Sequence, residues 1–195
     1  MLLALRARLA ALAVLFLLVP GPAAAQPAGV VLVARPSIAD PNFARTVIAV
    51  AQMPDGAAIG VIVNRPLTRS LAELVPDQPR LARFTTPLHA GGPVERNGLF
   101  ALYVAPGPVG ESLPIGGGMH LALLPPDVER LIDGPPARLR FFAGYSGWGP
   151  GQLAREIERG DWWVLDPDPD LALREDTRSL WDELRESSSR IRTRL

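Results

Sequence analysis

A serine set in a glycine-rich bend is the first group in this chain that could carry out a reaction. The stretch from Phe141 to Leu153 reads FFAGYSGWGPGQL, and its glycines Gly144, Gly147, Gly149 and Gly151 bend the backbone while Tyr145 and Trp148 remain available for packing or contact. An apolar run enters this bend and a helical pattern leaves it, as around the nucleophile of an α/β-hydrolase, so Ser146 could attack an acyl group. That chemistry needs Gly-x-Ser-x-Gly, and here Trp148 occupies the place of the last glycine. Both histidines, His89 and His120, precede the serine, although triads on other folds do not keep that order. A hydrolase or transferase using a cleft around Ser146, with His89 or Glu156 as partner, is therefore the alternative reading. A serine that bonds its own turn is the favoured one.

Other chemistries have less to build on. The two histidines are separated by 31 positions and give no ligand spacing, so neither a metal nor a cofactor is expected. Asp166-Pro-Asp-Pro-Asp170 lacks the glycine and distal glutamate of a calcium loop and reads as an extended acidic linker. Gly91-Gly92 and Gly116-Gly117-Gly118 could cradle phosphate, but neither precedes Lys-Ser/Thr, which favours close backbone packing or a turn. Adjacent Trp162 and Trp163 cannot both point inward from one strand, so one of them must face another layer, a partner or solvent.

The elements that would position these groups are apolar and β-branched. Val30–Ala34, Thr46–Ala51, Ile59–Val63, Leu99–Val104, His120–Leu124 and Leu139–Ala143 read as strands, many of them buried on both faces. Helices are expected over Ser70–Val75, over Pro126–Ile132 up to Gly134, over Gln152–Arg159 up to Gly160, and from Thr177 after Asp176. Strands dominate early and the order is mixed late, which predicts an α+β fold. Residues 26–195 form one expected domain, with a frayed polar tail from Ser187 to Leu195.

The N-terminus places this domain in a compartment. Arg6 and Arg8 precede an apolar run, Leu9–Val19, followed by Pro20-Gly21-Pro22 and Ala23-Ala24-Ala25, the pattern of a signal peptide cleaved before Gln26. The run has 11 residues, short of the ~20 that span a bilayer, so no stable membrane anchor is expected. The product would be periplasmic or secreted. Absence of cysteine excludes disulfides and thiol chemistry, and absence of lysine excludes Schiff bases. Cleavage would leave 18 arginines against 20 acidic residues, a balance that gives no general attraction to nucleic acid.

Four segments together resemble the YqgE/AlgH family. They are Leu32–Ile48 with its Asp40-Pro41-Asn42-Phe43 loop, Gly60–Leu67 with Asn64-Arg65-Pro66, Gly91-Gly92-Pro93-Val94, and Gly144–Glu156 with Trp162 and, further on, Trp181. The resemblance covers about Val30 to Glu186 and implies a branched, largely antiparallel sheet curled into a pseudo-barrel with flanking helices. It also implies that Asn64, Gly91, Gly92, Pro93, Tyr145, Ser146, Trp148, Gln152 and Glu156 gather around one groove. Leu173 stands where the family usually carries phenylalanine. Family members are generally cytoplasmic, and some have been called transcriptional regulators, a role open to this chain only if it is not exported. The leading expectation is an exported, non-enzymatic module that binds an unknown small ligand or protein.

Overall fold

The computed structural model describes residues 29–192, so the expected leader, residues 1–25, lies outside the described residues. Its strands are β1 (Gly29–Ala34), β2 (Val47–Gln52), β3 (Ala58–Ile62), β4 (Pro66–Ser70), β5 (Pro87–Ala90), β6 (Val94–Val104), β7 (Leu113–Gly116), β8 (Met119–Ala122), β9 (Leu139–Trp148) and β10 (Trp162–Leu165). The helices are α1 (Leu71–Leu74), α2 (Pro125–Asp133), α3 (Gln152–Arg159), α4 (Pro169–Ala172) and α5 (Leu180–Arg192). No helix among the described residues is long and apolar enough to cross a membrane.

The sheet runs β10-β1-β2-β3-β9-β6-β8-β7 and is antiparallel throughout this path. All six residues of β1 are buried, which its uniformly apolar sequence GVVLVA allows. The sheet curls into a half-barrel, bringing Ile115 of β7 over Gly29 of β1, where an added Cβ would lie 2.9 Å from the Ile115 carbonyl oxygen. The inner core joins Leu32, Ile48, Ile62, Leu102, Phe142 and Trp148. Alternate residues of β6 and β9, among them Ala101, Tyr103 and Phe141, face outward onto Val128, Leu131 and Ile132 of α2 and form a second core.

The branch is formed along one edge of β9. Its other edge pairs with β6 over Leu139–Tyr145, but the branched edge takes β5 in parallel at Phe142 and Ala143, then β3 in antiparallel at Ser146–Trp148. Gly91 sits where β5 and β3 diverge. Its N–H donates to the Ala143 carbonyl at 2.8 Å, and its own carbonyl accepts the Ile62 N–H at 2.9 Å. A Cβ here would stand 2.2 Å from the Gly144 carbonyl oxygen, and one on Gly92 would stand 2.1 Å from that of Tyr145, so both positions exclude larger residues. Gly144 itself, at φ 74°, is left-handed, and β6 bulges over it between Val94 and Leu99.

Several expectations need correction. The strand ending at Ala143 continues through the bulge to Trp148, leaving only Gly149–Gly151 as the bend, because β3 supplies a partner for Ser146–Trp148. The acidic linker is not wholly extended: Asp168 accepts the N–H groups of Asp170 at 2.8 Å and Leu171 at 3.4 Å and starts α4. The last helix begins at Leu180 rather than Thr177, after a turn in which Leu180 N–H bonds Thr177 O, and it runs to Arg192. Residues 193–195 lie outside the described residues.

Candidate functional site

The branch opens a groove of about 360 Å³, lined by Asn42, Ile62, Arg65, Leu67, Ala90, Gly92, Pro93, Arg96 and Ala143. Three parts of the chain converge there: the β1–β2 loop, the splayed ends of β3 and β5, and the β6 bulge. The loop is tightly built, with the Asp40 carbonyl accepting the N–H groups of Phe43 at 2.9 Å and Ala44 at 2.7 Å. Arg65 clamps it from the groove side. Its guanidinium donates to the carbonyls of Asn42 at 2.9 Å, Pro41 at 3.0 Å and Ala44 at 3.1 Å. Burial lowers the Arg65 pKa from its ordinary value, and the Asp40 carboxylate opposes that shift. Arg96, exposed on the bulge, reaches the same loop through a 3.3 Å bond to Asn42 Oδ1.

Beyond the loop lies a second depression of about 250 Å³, lined by Ile38, Asp40, Phe43, Gly147, Trp148, Gln152, Glu156, Arg159, Asp161 and Trp162. Glu156 holds it together, its Oε2 accepting both indole N–H groups, Trp148 Nε1 at 2.9 Å and Trp162 Nε1 at 2.9 Å. Its Oε1 accepts Gln152 Nε2 at 3.0 Å. The Phe43 ring packs against both indoles, 6.1 Å from each by ring centroid, and meets Trp162 edge-on. Trp162 points inward and is buried, whereas Trp163 lies under the Arg35 guanidinium at 5.1 Å from its ring centroid.

The residues expected to share one groove are thus distributed over more than one place. Gly92 and Pro93 line the branch groove, while Trp148, Gln152 and Glu156 line the aromatic depression. Gly91 is the buried hinge between them. Asn64 is consumed as a clip: its Oδ1 accepts the Val47 N–H at 2.8 Å and its Nδ2 donates to Arg45 O at 2.9 Å, joining the end of β3 to the start of β2. Tyr145 packs edge-on against Phe100 at 5.3 Å, and burial, with a smaller push from Glu95, raises its phenol pKa.

Ser146 is fully buried in β9, and its hydroxyl donates to the Gly91 carbonyl at 3.2 Å. Its bond is thus to the branch backbone, not to a histidine or carboxylate. His89 is engaged elsewhere, Nε2 with Thr177 Oγ1 at 3.2 Å and Nδ1 with Pro87 O at 3.3 Å, on the wall of a depression that also holds Pro66 and Glu175. Burial, helped by Arg140, lowers its pKa to about 4.

Asn42, Arg65, Leu67 and Arg96 line the groove but are not among the site residues the sequence points to. Asn42, Arg65 and Leu67 fall inside the segments that carry the family resemblance, but their spacing alone gives no sign that they meet. Arg96 lies in a bulge that only the pairing of β6 with β9 creates.

An antiparallel half-barrel that branches along its interior strand β9, with a groove at the branch, defines an α+β protein of the AlgH structural class. The AlgH-like family model, DUF179, matches residues 31–190. The chain belongs to this family. It is 35% identical over 161 residues to a UPF0301 protein of Streptomyces coelicolor, covering 80% of this chain and 83% of that one. A UPF0301 protein of Mycobacterium tuberculosis is likewise 35% identical over 162 residues, with 80% of each chain covered. Among solved structures, the AlgH protein of Pseudomonas aeruginosa superposes with a TM-score of 0.66 at 26% identity, covering 88% of this chain and 92% of that one. A protein of Corynebacterium diphtheriae gives a TM-score of 0.65 at 29% identity, covering 82% and 86%.

Proposed function

We propose that this AlgH-like chain is an exported, non-enzymatic binding module that acts in the periplasm or outside the cell and takes a small ligand at the branch of its sheet. The observation that carries the reading is the make-up of the branch groove. Its lining combines apolar side chains with guanidinium and amide groups, a set that holds and orients a ligand. Guanidinium stays protonated under all ordinary conditions and serves poorly as an acid or base. Export rests on the leader pattern, Arg6 and Arg8 followed by Leu9–Val19 and Ala23-Ala24-Ala25.

Two measurements test the two halves of this reading. Fractionation and N-terminal sequencing of the protein expressed from its own gene should give a product outside the cytoplasm that starts at Gln26; a cytoplasmic product beginning near Val30 would overturn export and restore a regulatory role. A small-fragment library followed by amide chemical shifts should give hits that cluster on Ala90, Gly92 and Ala143. A library without a single hit there would overturn the binding half.

A further inference from the structure

The charge of the branch groove goes further than its shape. Two guanidinium groups, Arg65 and Arg96, stand among its lining residues, and among the described residues no carboxylate lines it. Arg45, Arg80, Arg138, Arg159 and Arg174 are each ion-paired with an Asp or Glu at 3.4 Å or less, but among the described residues neither groove arginine is; Arg83 and Arg140 share that lack, and what sets Arg65 and Arg96 apart is that both line one groove. Arg65 is held by neutral backbone carbonyls, which fix the cation in place, and the Asp40 carboxylate offsets part of its field without forming an ion pair with it. Arg96 is tethered only by a long bond to the neutral Asn42 amide oxygen, an acceptor that an anionic oxygen would outcompete. The remaining wall, with Ile62, Leu67 and Ala143, is apolar.

We propose that the groove takes a small organic anion, its carboxylate or phosphate head on Arg96 in the field of Arg65 and its apolar body against Ile62, Leu67 and Ala143. This rests on the binding-module reading and names its ligand class. A guanidinium offers paired donors that match an oxyanion, and a volume of about 360 Å³ limits the occupant to a molecule at the small end of the range that pockets hold.

The test uses the mature chain with four probes that share one apolar tail: hexanoate, hexyl phosphate, hexanamide and hexylammonium. Binding is read by calorimetry and by amide shifts. Both anions should bind with shifts centred on Ala90, Gly92 and Ala143, and hexanamide should bind about tenfold or more weakly. In Arg96→Glu, an exposed change whose thermal unfolding serves as the folding control, anion affinity should fall by at least about tenfold. Equal binding of hexanamide or hexylammonium would overturn the anion assignment while leaving a ligand groove in place. Anion binding that survives Arg96→Glu, or shifts scattered over the paired surface arginines, would overturn it as well. If neither these probes nor the fragment library perturbs the groove, the anion assignment and the binding reading fall together.

Discussion

Removing the carboxylate of Glu156 should destabilise the fold out of proportion to its place on an outer helix. In Glu156→Ala, two indole N–H groups lose their shared acceptor, each having been bonded at 2.9 Å. Trp148 and Trp162 are each only 4% exposed, so water cannot readily replace the lost oxygen. A hydrogen bond to a charged group contributes ~1.5–3 kcal/mol, and a buried donor left unpaired costs ~1–3 kcal/mol. Two such donors give an expected loss of ~3–5 kcal/mol, tempered by the half-exposed position of the carboxylate itself. Glu156→Gln keeps an acceptor oxygen and should lose only ~1 kcal/mol. The assay is urea unfolding followed by far-ultraviolet circular dichroism, with the denaturant slope held common to all variants. Trp148→Phe removes one of the two donors, so Glu156→Ala in that background should cost ~1–2 kcal/mol less than in the parent. A loss below ~1 kcal/mol for Glu156→Ala, or an equal loss in both backgrounds, would refute the shared-acceptor argument.

Three further outcomes are expected. His89 has its pKa lowered from 6.5 to about 4, chiefly by burial. The unfolded chain therefore takes up the proton first, and stability present above pH ~6.5 is lost as pH falls toward ~4, by at most ~3.5 kcal/mol at ~1.4 kcal/mol per pH unit. Subtracting the urea-unfolding pH profile of His89→Gln from that of the parent isolates this loss, and a flat difference would contradict it. Gly91→Ala forces a methyl to within 2.2 Å of the Gly144 carbonyl oxygen and should destabilise by ~2–3 kcal/mol or prevent folding, whereas Gly107→Ala meets nothing within 4 Å and should stay within ~0.5 kcal/mol in thermal unfolding. Asn64→Ala strands the Val47 N–H and Arg45 carbonyl and should cost ~1–3 kcal/mol by the same measurement; a neutral result would remove its role as a clip.

The strands visible in the sequence are those whose burial is uniform. β1 and β2 are nearly continuous apolar runs because both faces are covered, and β9 announces itself through Leu139–Ala143. The strands that escaped are short and interrupted. β4, β5 and β7 have four or five residues and each contains a proline, Pro66, Pro87 and Pro114, which weakens every local signal for pairing. β10 is four residues long and was visible only as a constraint on Trp162 and Trp163. The branch groove was less legible still. Gly91 and Gly92 carry its geometry, and their crowding comes from Gly144 and Tyr145, some fifty positions away in the chain. Asn64 illustrates the converse: a polar residue prominent in a recognisable segment spends both its amide atoms on backbone.

The loop from Asp40 to Arg45 belongs to both depressions at once, with Asn42 on the groove side and Asp40 and Phe43 on the aromatic side. It is clamped by Arg65 through three of its carbonyls, and its last residue, Arg45, is held in a left-handed backbone at φ 58° with its guanidinium over the Trp181 ring. One clamped segment therefore forms a wall of both cavities: Asn42 meets whatever enters the groove, while Phe43, one residue on, packs against the two indoles. Were a groove occupant to displace this segment, the coupling would be reciprocal, and tryptophan emission would register an event at a groove with no tryptophan among its described lining residues.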